Sequence, residues 1–169
     1  MIVVVIGGTR SGKSELGETI AARLGEPITV VVPGEPDDPD FAARVAAHQA
    51  RRPASWATLE CGSELPAALT RVRGTVLVDS LGSWIARCPD LHVDPAPLVE
   101  TLRARRDATV LVTEEVGLAV HPATEAGRRF TDALGALNAA VAHVADDVWL
   151  CVAGRVTRLE RPDAALEGR

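Results

Sequence analysis

Lysine is almost missing from this sequence: every basic residue is arginine except Lys13. The bias toward Arg, Ala and Gly runs along the whole chain and reads as a codon preference. The one lysine that persists therefore marks a place where chemistry asks for a compact ammonium and not a planar fork. A positive excess is missing too, since 18 Lys and Arg face 23 Asp and Glu, for a net charge of −5 and a pI near 5.4. Nucleic-acid binders carry a basic stripe, so the balance argues against that class. No apolar run approaches the roughly 18 residues that span a bilayer. The opening Met-Ile-Val-Val-Val-Ile lacks the length and the basic flank of a signal peptide. Cys61, Cys88 and Cys151 are scattered, make no metal-type pair and cannot all be disulfide-bonded within one chain. A reduced, cytoplasmic protein is expected.

What is present is an ordinary globular balance, 47% hydrophobic and 24% charged over 169 residues. That length suits a single domain, 1–169, burying roughly two-thirds of the surface its unfolded chain exposes. Short β-branched runs recur at 2–6, 28–32, 75–78, 109–113 and 148–152. They are apolar throughout and do not alternate, as strands of a parallel sheet covered on both faces do. Helical stretches at 13–24, 40–51, 64–71, 80–87, 95–106 and 124–144 lie between them. The alternation predicts an α/β fold, P-loop NTPase-like, with a mostly parallel sheet, helices on both faces and a short C-terminal edge strand at 154–159. The Pro- and Asp-rich stretches 34–40 and 88–97 are expected to be loops.

Gly7-Gly8-Thr9-Arg10-Ser11-Gly12-Lys13-Ser14 fits G-x-x-x-x-G-K-[ST] at every fixed position, after a strand and opening a helix. Its glycines let successive N–H groups turn inward on phosphate oxygens, and the helix N-terminus adds positive potential. Lys13 is expected on the β- and γ-phosphates and the Ser14 hydroxyl on Mg²⁺. Asp79, ending the run Thr75-Val-Leu-Val, is the candidate carboxylate for the same ion, with Ser80 available to cap the next helix. Glu115 follows the 109–113 strand at the edge where open α/β sheets bind ligands.

His48 stands between Arg44 and Arg51 at helical spacing, with Phe41 and Val45 near the same face. That pattern fits a packed histidine. It also fits a nucleophile kept neutral by cationic neighbours that gather phosphate oxygens around it. Spacing alone leaves both readings open.

Several blocks together resemble one family, the bifunctional adenosylcobinamide kinase / adenosylcobinamide-phosphate guanylyltransferases of cobalamin biosynthesis. They are the phosphate loop, Ala43-Arg-Val-Ala-Ala-His-Gln-Ala-Arg-Arg-Pro53 with Trp56 and Glu60, and Val76-Leu-Val-Asp-Ser-Leu81. Glu115-Val-Gly-Leu118, Arg128-Arg-Phe130 with Asp132, Gly135, Leu137 and Asn138, and the stretch 147–154 complete them. The resemblance implies two reactions. ATP or GTP phosphorylates the hydroxyl of adenosylcobinamide's aminopropanol arm. GTP then gives GMP to a histidine, which passes it to adenosylcobinamide phosphate. By motif position that histidine is His48, with Gln49, Arg51 and Arg52 on the nucleotide and Glu60 reading guanine. Val32, Pro33 and Gly34 fall where the family touches nucleotide, and Arg128 is a further site candidate. A homo-oligomer, a trimer, is also implied.

The chain departs from the family pattern in three places, one of them a shortened stretch between Arg87 and Pro95. Its second strand ends Val-Val-Val-Pro33, where an Ile-Ala-Thr-like end is usual. Glu114 stands where the family has Asn, adding negative charge beside Glu115. Two rival readings remain at this level: a small-molecule kinase with a structural His48, and a nucleotide-dependent protein switch. The absence of an Asn-Lys-x-Asp segment speaks against the switch.

Overall fold

A computed structural model describes residues 1–34 and 52–162. Seven strands form one sheet: β1 (Ile2–Gly7), β2 (Ile28–Val32), β3 (Ala57–Glu60), β4 (Thr75–Asp79), β5 (Thr109–Glu114), β6 (Asp147–Val152) and β7 (Arg155–Arg158). Their order is β3-β2-β4-β5-β1-β6-β7, parallel except for β7, which pairs antiparallel with β6 at the edge. The described helices are α1 (Lys13–Leu24), α2 (Leu65–Arg71), α3 (Leu81–Ile85), α4 (Pro95–Ala104) and α5 (Glu125–Val144). The fold is the expected P-loop NTPase-like α/β architecture, with the short edge strand in place.

The continuous apolar runs have a direct structural reason. Successive side chains of a strand point to opposite faces, so a strand buried on both faces needs hydrophobic residues at every position. Val3 and Val5 enter one cluster with Leu77, Val110 and Val112, against Leu16, Ile20 and Ala21 of α1. Val4, Val76, Val78 and Leu111 enter the other, with Leu69, Ile85, Leu98, Leu134 and Leu137 from the remaining helices. Gly17 lets α1 lie close on the sheet, because a Cβ there would stand 2.6 Å from Val112 Cγ2.

β3 is a strand the sequence reading did not anticipate. Ala57-Thr-Leu-Glu is short, sits at the sheet edge and is mostly exposed, so it carries no apolar run to mark it. Within 88–97 the chain makes a short 3₁₀ turn, Pro89–Leu91, before α4 begins at Pro95. The helix expected over 40–51 lies outside the described residues.

Candidate active site

β1 is flanked by β5 and β6, so its last residue, Gly7, pairs with Glu114 on one side and Cys151 on the other. A Cβ at Gly7 would collide with the Cys151 carbonyl oxygen, so only glycine fits that bend. From there Gly8 to Ser14 curls over the carboxyl end of the sheet. Ser11 N donates to Gly8 O (3.3 Å) and Leu16 N to Gly12 O (3.0 Å). Gly12 adopts φ 96°, in the left-handed region that glycine reaches without strain. Strand β6 and its turn support the loop from below. Gly154 N donates to Ser11 O (2.8 Å), and the buried Cys151 Sγ donates to the same carbonyl (3.0 Å).

Lys13 Nζ donates back to Gly8 O at 3.2 Å and lies 3.8 Å from Glu114 Oε1. Ser14 Oγ is 3.4 Å from Asp79 Oδ1, bringing together the two residues expected on Mg²⁺. Asp79 Oδ2 also accepts from Arg52 Nη2 (2.5 Å), and Arg52 Nε reaches Glu18 Oε1 on α1 (3.0 Å). The Arg52 side chain is only 6% exposed, so both ion pairs are shielded from water and loss of either partner would leave a buried charge uncompensated. Arg52, expected on nucleotide phosphate, ties the chain four residues beyond His48 to the end of β4 and to α1.

Val32 and Glu60 are paired across β2 and β3, and Gly34 lies beside Glu60, so the two stretches form a second edge of the site. Cys61 N donates to Val32 O (2.8 Å), extending the β2–β3 pairing to the residue before Pro33. Glu115 spends both carboxylate oxygens on its own loop, accepting from Gly117 N (2.8 Å) and Leu118 N (3.0 Å). Arg128 braces the same loop from α5, donating to Pro122 O (3.1 Å) and Ala123 O (3.0 Å). Ser80 caps α3, its hydroxyl accepting from Ser83 N at 3.2 Å. His48, Gln49 and Arg51 lie outside the described residues.

Sequence reasoning passed over two carboxylates. Glu18 lies one helical turn beyond Ser14, a spacing that could have exposed it. Glu114 was noted only as added charge. Its Oε1 accepts from Ser80 Oγ (2.9 Å), its Oε2 from Gly82 N (3.2 Å), and its backbone oxygen from Asn138 Nδ2 (2.9 Å). Burial pushes its pKa up, opposed by the Lys13 ammonium and the Ser80 hydrogen bond.

Residues 3–159 match the family described as cobinamide kinase / cobinamide phosphate guanyltransferase. The chain is 36% identical to the bifunctional adenosylcobalamin biosynthesis protein CobP of Pseudomonas aeruginosa, over 89% of this chain and 92% of that protein. It is 30% identical to the bifunctional adenosylcobalamin biosynthesis protein CobU of Salmonella typhimurium, over 91% of this chain and 97% of that one. Among solved structures, the flagellar accessory protein FlaH from Methanocaldococcus jannaschii superposes with a TM-score of 0.52 at 12% identity. That match covers 96% of this chain and 79% of FlaH, and shows a shared fold alone.

Proposed function

The chain belongs to the cobinamide kinase / cobinamide phosphate guanyltransferase family, a family of enzymes with both activities, and from that premise we propose that one site at the carboxyl edge of the sheet serves both reactions. In the first, Lys13 and the loop amides hold the β- and γ-phosphates of ATP or GTP while the hydroxyl of adenosylcobinamide attacks the γ-phosphorus. The nucleoside diphosphate leaves and the hydroxyl proton passes to solvent or a nearby base. In the second, a neutral His48 nitrogen attacks the α-phosphorus of GTP and pyrophosphate leaves. A phosphate oxygen of adenosylcobinamide phosphate then attacks the phosphoramidate, His48 departs, and adenosylcobinamide-GDP results. Arg51 offsets the charge developing at the α-phosphate, while Arg52 is held by Asp79 and Glu18. Gln49, Val32, Pro33 and Gly34 line the nucleotide, and Glu60 reads guanine N1–H and N2–H.

The observation that supports this best is the Lys13–Ser14–Asp79–Arg52 cluster. It joins the phosphate loop to the chain four residues beyond His48. Ser14 and Asp79 offer hard oxygen donors, and no group of three or more His, Cys, Asp or Glu among the described residues could hold a metal unaided. Such sparse oxygen ligation suits Mg²⁺, which keeps waters and shares substrate phosphates. Bound there by Ser14 and Asp79, Mg²⁺ would neutralise charge between the β- and γ-phosphates. The enzyme acts as a cytoplasmic, one-domain subunit of a homotrimer.

Incubation with GTP labelled at the α-phosphate should leave an acid-labile, alkali-stable label on the protein. His48→Ala should abolish it. Absence of label on the wild-type protein, with nucleotide binding intact, overturns the covalent route and leaves only the kinase step.

A further inference from the structure

Among the described residues, Glu114 is the carboxylate that stands beside Lys13 with a charge opposed to the ligand's binding. Its carboxylate stands 3.8 Å from the ammonium that must hold the polyphosphate tail. It is not there by slack. Asn138 donates to its backbone oxygen and itself accepts from Thr113 Oγ1 (2.6 Å), pinning the end of β5. Ser80 and Gly82 donate to the two carboxylate oxygens. Gly82 has no Cβ to obstruct it, since one built there would overlap Glu114 Oε2. The side chain is thus held beside Lys13 by the start of α3, while α5 fixes its backbone. The other charged groups near it are the Asp79 carboxylate, itself paired with Arg52, and Lys13.

We propose that Glu114 is a positioning residue that competes with polyphosphate for Lys13 and so sets how readily pyrophosphate leaves the loop. This rests on the reading of Gly7–Ser14 as the phosphate site. After His48 attacks GTP, pyrophosphate remains where its charge best matches the loop amides and Lys13. A carboxylate already beside Lys13 gives the ammonium a second partner to return to, and repels the anion through a partly desolvated gap where charges act more strongly than in water. The effect must follow phosphate number. It acts on ligands whose tail meets Lys13 and spares those without one.

The test is direct binding by calorimetry, with inorganic pyrophosphate, GTP and GMP as probes, on wild-type, Glu114→Gln and Glu114→Asp proteins. Glu114→Gln keeps the shape and should bind pyrophosphate and GTP on the order of tenfold more tightly, as expected when one charge contact is removed. GMP affinity should change by less than about twofold, because GMP has no tail at Lys13. Glu114→Asp keeps the charge and should stay close to wild type. In steady-state guanylyl transfer, added pyrophosphate should inhibit the Gln variant at correspondingly lower concentration. Equal pyrophosphate affinity in wild-type and Gln proteins overturns the inference, as does a gain that appears equally with GMP. Failure of the wild-type protein to bind pyrophosphate or GTP at all overturns instead the phosphate-loop reading beneath it.

Discussion

Single residues in the loop carry separable duties. At Gly12 the backbone lies at φ 96°, where a side chain brings Cβ against the following carbonyl at a cost of about 1–2 kcal/mol. Gly12→Ala should therefore lower the thermal midpoint and weaken GTP binding together. Lys13→Ala leaves the backbone untouched and should instead cost at least about 10²-fold in both reactions with little change in stability. Retention of either reaction at wild-type rate would contradict a shared phosphate site. Glu114 predicts a pH dependence whose sign is fixed by its surroundings. Its folded pKa is raised by burial, so between the unfolded value near ~4.3 and the folded one the native state holds more protons than the unfolded chain. Stability contributed by this residue is full at the acid end and falls as pH rises through that window. Glu114→Gln should be flat where the wild type declines, and melting curves from pH 4 to 7 would reveal it. Burial also lifts the Cys61 thiol to about 11. Near neutral pH it should alkylate slowly with iodoacetamide, since the thiolate is the reactive form.

At the level of elements, the close approach of α1 to the sheet depends on Gly17, whose missing Cβ makes room for Val112. Gly17→Ala should cost about 1–3 kcal/mol through overpacking, against the usual helix gain from alanine. At the opposite end of the sheet Arg105 gathers three carbonyls, those of Leu69 (2.6 Å), Val72 (2.8 Å) and Gly74 (2.9 Å). It closes α2 and the turn into β4. Arg105→Ala leaves those oxygens without a donor and should cost about 1–3 kcal/mol, with the KM for GTP unchanged because the site lies at the other strand ends. The strands buried on both faces were legible because burial on two faces writes an uninterrupted hydrophobic run. β3 was not, since an exposed edge strand needs no such run. Lys13 and Ser14 stand out in the sequence through the loop motif and Asp79 through its place at a strand end, and the structure sets Ser14 and Asp79 3.4 Å apart. Glu114 is not legible because long-range pairing creates its role: it meets Lys13 only after β5 inserts between β1 and β4. Arg52 was expected on phosphate alone, and its link to Asp79 and Glu18 could not be read from spacing.

For the molecule as a whole, the trimer proposed above is open to a plain measurement, since light scattering on the 17.8 kDa chain should return three times that mass. A monomer would refute it while leaving the chemistry intact. Guanylyl transfer should also be lost on chelation of divalent cations and return with added Mg²⁺, and indifference to chelator would remove Ser14 and Asp79 from that role. The floor beneath Ser11 is made by Cys151 and Gly154, from the last parallel strand and its turn. The proposed nucleotide cradle at residues 7–14 therefore takes its underside from a residue 140 positions further along the chain than Ser11. A nascent chain stalled before β6 should fail to retain GTP, so capture of nucleotide waits on a strand made long after the loop itself.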